Sequence, residues 1–77
     1  MNAYHYLAVA DTEDRDISEG WVLSKPAENP MTLIKDLFPG ISTWTDFATD
    51  HAQGYSPCGN LVNITVEPVD SIPLAAL

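Results

Sequence analysis

Five carboxylates crowd into nine positions near the start of the chain: Asp11, Glu13, Asp14, Asp16 and Glu19, with Arg15 the lone cation among them. Oxygens grouped this way can hold a divalent cation or meet a basic surface. A calcium loop of the EF-hand type needs acids at positions 1, 3 and 5, Gly at 6 and Glu at 12. Counted from Asp14, the sixth residue is Glu19 and the twelfth is Lys25, a cation where the bidentate acid belongs. Counted from Asp11, the fifth residue is Arg15. Neither register makes a calcium loop. The segment reads as a solvated acidic turn or as a patch for a basic partner.

His5, His51, Asp50 and Cys58 are the second set that could do chemistry. They make four zinc ligands on paper, but their spacings match no zinc finger and paired cysteines are missing. Cys58 and His51 could also form a thiol–imidazole pair. Cys58, however, follows Pro57 in the turn-rich stretch GYSPCGN rather than opening a helix, whose dipole would favour a thiolate. The four glycines, Gly20, Gly40, Gly54 and Gly59, are scattered and build no phosphate loop. Trp21, Trp44 and the tyrosines could stack on bases, but a platform for single strands also needs cations. Core packing is the better reading for most of these aromatics. No catalytic, cofactor or metal residue is therefore assigned, and the chain is not read as an enzyme. The residues assigned to partner binding are Asp11, Glu13, Asp14, Asp16 and Glu19.

Charge sets the class of partner. The 77 residues carry 11 Asp and Glu against 3 Lys and Arg, a net charge of −8. Such a surface repels nucleic acid and anionic membranes and attracts basic proteins or cations. The 45% of apolar residues is ordinary for a folded domain and argues against full disorder. A single cysteine cannot close an internal disulfide, which a small secreted domain would usually need. The N-terminal stretch MNAYHYLAVADTED lacks the basic start and long apolar core of a signal peptide. No apolar run approaches the roughly 20 residues of a membrane span. A cytoplasmic protein is expected.

The elements that position these residues follow from local pattern. Residues 3–10, AYHYLAVA, favour a strand, with Tyr4, Tyr6 and Ala8 on one side and His5, Leu7 and Val9 on the other. Residues 11–17 read as an exposed, mobile acidic loop, and 18–25 as a second strand. There Trp21 and Leu23 share a face, and Gly20 marks a bulge or a close approach. Asn29 and Pro30 suit the cap and first position of a helix. Met31, Leu33, Ile34, Leu37 and Phe38 give that helix its apolar stripe, and Pro39-Gly40 stops it. Thr43, with Asp46 three residues on, suggests a second short helix carrying Trp44 and Phe47 and ending at Gly54. Residues 61–67, LVNITVE, alternate as a strand with Val62, Ile64 and Val66 inward. The tail PVDSIPLAAL reads as an irregular cover or a partner surface. The expected core is Leu7, Val9, Leu33, Ile34, Leu37, Val62, Ile64 and Val66, with at least one tryptophan. The order predicts one small α+β domain over residues 1–77. It has a three-stranded, mainly antiparallel sheet with one or two short helices packed on one face.

The function expected from these features is that of a stoichiometric inhibitor. Carboxylates held on a folded domain can compete for Lys and Arg that otherwise grip DNA, which presents about one charge per 1.7 Å of axis. In size and charge the chain looks like the anti-CRISPR and anti-restriction proteins of phages as a class, acting as DNA mimics. That likeness covers no motif and no stretch of sequence. The expected partner is a basic protein or nucleoprotein complex, with no direct nucleic-acid binding and no membrane. The alternative is a small intracellular adaptor or neutralising partner anchored by apolar and aromatic side chains.

Overall fold

Five strands, not three, make the body of the protein. The computed structural model describes residues 2–11 and 16–76. In chain order the elements are β1 (Asn2–Ala10), β2 (Ile17–Ser24), α1 (Pro30–Asp36), β3 (Ser42–Ala48), β4 (His51–Tyr55) and β5 (Leu61–Val69), then a short 3-10 turn at Leu74–Ala76. The strands form one sheet in the order β2-β1-β5-β4-β3, and each pairing is antiparallel. The three-stranded sheet with one or two helices is thereby overturned: residues 42–55 form a hairpin, and α1 is the one α-helix among the described residues.

The second helix fails for a physical reason. Thr43, Trp44, Thr45 and Phe47 are β-branched or aromatic and pack better on a pleated surface. Capping-box spacing at Thr43 and Asp46 could not outweigh them. Gly54, expected to end that helix, is buried within β4. A Cβ there would lie 2.6 Å from Ile41 Cγ2 and 2.9 Å from the Trp44 ring. The glycine gives those side chains the space they occupy.

The first helix forms as the residues dictate. Asn29 caps it, its side-chain oxygen accepting from Met31 N at 3.0 Å, and Pro30 opens the first turn. Ser24, buried at the end of β2, donates to the carbonyls of Lys25 (3.0 Å) and Glu28 (3.1 Å). Glu28 Oε1 accepts from Lys25 N at 2.9 Å. These bonds satisfy a buried hydroxyl and fix the turn that lays α1 over the sheet.

The core sits between α1 and one sheet face. It comprises Ala8, Met31, Ile34, Ala52, Val62, Ile64 and Val66, ringed by Tyr4, Tyr6, Val22, Phe38, Ile41 and Trp44. Register explains the choice of face: Tyr6 pairs with Val66, Ala8 with Ile64 and Ala10 with Val62, so the even-numbered residues of β1 face the helix. Ile34, Val62, Ile64 and Val66 are buried as expected, and Trp44 packs against them. Leu7 and Val9 are only half-buried, on the opposite face, and Leu33 is half-buried too. Leu37, the C-cap of α1, is 53% exposed. Helical geometry accounts for this, because Met31, Ile34 and Phe38 sit three and four residues apart and leave Leu37 to one side.

Gly20 marks a close approach rather than a bulge. The β1–β2 register is unbroken, and a Cβ at Gly20 would lie 2.6 Å from the Tyr6 hydroxyl. Tyr6 thus lies across the glycine and meets Phe38 edge to face at 6.0 Å.

Candidate functional site

The face of the sheet opposite α1 is open, and most of the side chains that could do chemistry gather there. His5 stands on β1 between two carboxylates. Its Nε2 lies 3.0 Å from Glu19 Oε2 on β2, and its Nδ1 lies 3.3 Å from Glu67 Oε1 on β5. The register produces this: His5 is opposite Glu67 on one side and Trp21 on the other, with Glu19 one pleat along. Trp21 packs on the imidazole at 5.0 Å between centroids. In the protonated ring both carboxylate contacts are ion pairs bridging three strands.

His51 belongs to a second polar group on the same face. Asn63 Oδ1 accepts from Gln53 Nε2 at 2.7 Å and from His51 Nε2 at 3.1 Å. Phe47 stacks on the His51 ring at 5.2 Å. Between the two histidines runs an open cleft of about 380 Å³, lined by His5, Leu7, Asp50, His51, Thr65, Val66 and Glu67. His5, His51 and Asp50, considered together as metal ligands, therefore do share a cleft. Among the described residues, however, no three His, Cys, Asp or Glu side chains are placed to hold a metal ion. Cys58 lies apart, exposed in the β4–β5 turn, and does not line the cleft that holds His51.

The residues assigned to partner binding separate into three groups. Asp11 and Asp16 are exposed at the ends of β1 and β2. Glu19 is exposed on β2 and engaged with His5. Glu13 and Asp14, with the expected mobility of their loop, lie outside the described residues. Sequence reasoning missed Glu67, which stands beside His5; Asp50, already counted among the possible metal ligands, lines the same cleft. Alternation along LVNITVE pointed Glu67 outward, but only the strand order brings it to His5.

The acidic character extends beyond that loop. Nine of the 11 carboxylates are among the described residues, and all nine are exposed: Asp11, Asp16, Glu19, Glu28, Asp36, Asp46, Asp50, Glu67 and Asp70. Among the described residues Asp46 alone pairs with a lysine, Lys35 Nζ at 2.7 Å, and that lysine also lies 5.4 Å from the Trp44 ring centroid. Comparison with protein-family models, with curated proteins and with solved structures finds no match to this chain. Among the described residues no helix is long and apolar enough to cross a membrane.

Proposed function

We propose that this chain is a non-enzymatic, cytoplasmic binding protein that occupies a basic surface of a partner. In the sharpest form of this reading the surface is a nucleic-acid-binding one, and the protein acts as a stoichiometric inhibitor of the phage anti-defence type. One observation carries the reading. All nine described carboxylates face solvent, and only Asp46 among them is paired with a lysine. An acidic surface kept this open costs stability through self-repulsion, and a basic partner is what would offset it. The arrangement also suits diffuse recognition, since the carboxylates are spread over the strands, the turns and α1 rather than gathered at one point.

A second reading rests on a separate observation. Ile17 (62% exposed) and Leu23 (49%) flank Trp21 on β2, and Leu74 is 87% exposed in the tail. These could anchor an adaptor, with charge serving only solubility and association rate. Salt separates the two. Immobilised protein should capture its partner from a cell lysate, and the complex should be eluted in steps of rising salt. Charge-to-charge contacts predict release over a few hundred millimolar. A complex that survives molar salt and is lost on changing Trp21 or Leu23 would replace the inhibitor reading with the adaptor one.

A further inference from the structure

The two edges of the sheet are built differently. On β3 the register with β4 shifts twice, between Ser42 and Thr45 and between Asp46 and Ala48, and Thr43 has φ 58°. Such irregularity blunts an edge against further pairing. β2 pairs with β1 over eight consecutive positions, from Asn2–Ser24 to Val9–Ile17, without a shift. Its sequence, ISEGWVLS, holds no proline and no lysine. Of the usual protections of an edge it lacks proline, lysine and a bulge, and Glu19 is its one charge.

The hydrogen-bond alternation tells which groups face outward. Ala10 N donates to Asp16 O at 2.8 Å, so that pair closes the hairpin with bonds directed inward. In an antiparallel ladder the bonded pairs then alternate. Ser18, Gly20, Val22 and Ser24 spend their amides on β1, while Ile17, Glu19, Trp21 and Leu23 present theirs to the free edge. The same four residues place their side chains on the open face. The edge therefore offers backbone pairing flanked by three apolar side chains and one carboxylate, with Asp11 and Asp16 at its start.

We propose that the edge of β2 accepts an extended basic strand of the partner, antiparallel to β2, with apolar side chains against Leu23, Trp21 and Ile17 and a cation over Glu19. Further cations follow toward Asp11 and Asp16, both exposed. This rests on the acidic-binding reading above and names its geometry. Backbone pairing supplies affinity and alternate side chains supply specificity, as in other strand additions. Charge selects the occupant. A second copy would bring another −8 and only 3 cations of its own, whereas a basic strand neutralises the rim it crosses.

The test uses the whole protein and a synthetic peptide, Val-Thr-Val-Thr-Lys-Thr-Val-Lys-Lys-Lys, beside its reversed sequence. Amide hydrogen exchange, read residue by residue by NMR, should slow on the order of tenfold at Ile17, Glu19, Trp21 and Leu23 with the first peptide. Ser42–Ala48 should not change, and the reversed peptide should protect β2 less. Equal protection by both peptides would overturn the antiparallel placement. No protection of β2 at millimolar peptide would overturn the edge site. If the partner's binding is then still lost on neutralising the carboxylates, the acidic reading survives without the edge. If binding survives neutralisation, both fail. Protection of β2 in the protein alone, rising with its concentration, would assign the edge to a second copy and overturn the basic strand.

Discussion

One face of this sheet carries the apolar core and the other mixes polar with apolar side chains, and the contrast separates what folds the protein from what it offers to others. Under α1 lie Ala8, Ala52, Val62, Ile64 and Val66, with glycines where Tyr6 and Trp44 need room. Across the same strands, one residue out of phase, lie His5, Glu19, His51, Gln53, Asn63 and Glu67, interspersed with Leu7, Val9, Ile17, Trp21 and Leu23. A one-residue slip would exchange the two sets, so the buried face fixes the exposed one. Polar residues on the open face thus cost the fold little, and are free to answer to a partner.

The largest expected effect lies on the covered face. Ile64→Ala removes a side chain of 0% exposure at the middle of β5 and should cost roughly 2–5 kcal/mol in a denaturant melt. In a chain this small that is enough to populate the unfolded state. A loss under about 1 kcal/mol would mean that the two faces do not differ as described.

Gly54→Ala comes next. The added methyl would meet Ile41 Cγ2 and the Trp44 ring, both closer than a real Cβ contact allows, so a loss of about 1–3 kcal/mol is expected. An unchanged melting midpoint would show that Trp44 can move aside, and would loosen the account of β3 and β4.

Leu37→Ala should change least, by about 1 kcal/mol or less, because the residue is already 53% exposed. A loss of several kcal/mol would return Leu37 to the core, where the helical stripe alone puts it.

Much of the covered face is legible in the order of the residues alone. Asn29-Pro30 announces α1, the alternation in LVNITVE announces β5, and four of the eight expected core residues are buried. The errors come from information that local pattern does not hold. Leu7 and Val9 look more like core than Tyr4, Tyr6 and Ala8. The helix nonetheless crosses the face where small and flat residues leave it room. The β3–β4 hairpin escapes a local reading because its two register shifts disrupt strand alternation, while Thr43 and Asp46 imitate a cap. The open site is legible only in part. Its acidity is plain, yet Glu67 reaches His5 through the order β2-β1-β5, and strand order is set by the packing of the whole chain.

Neutralising the acidic segment tests the central claim most directly. Asp11 and Asp16 should be changed to Asn, together with Glu13→Gln, Asp14→Asn and Glu19→Gln, and both the melt and partner binding measured. Single substitutions should each cost on the order of 1 kcal/mol in binding or less. Together they should leave the melt within about 1 kcal/mol and weaken binding at least about tenfold. Cys58→Ser and His51→Ala should leave binding unchanged. Binding untouched by the five substitutions, or activity lost at Cys58 or His51 alone, would contradict the account.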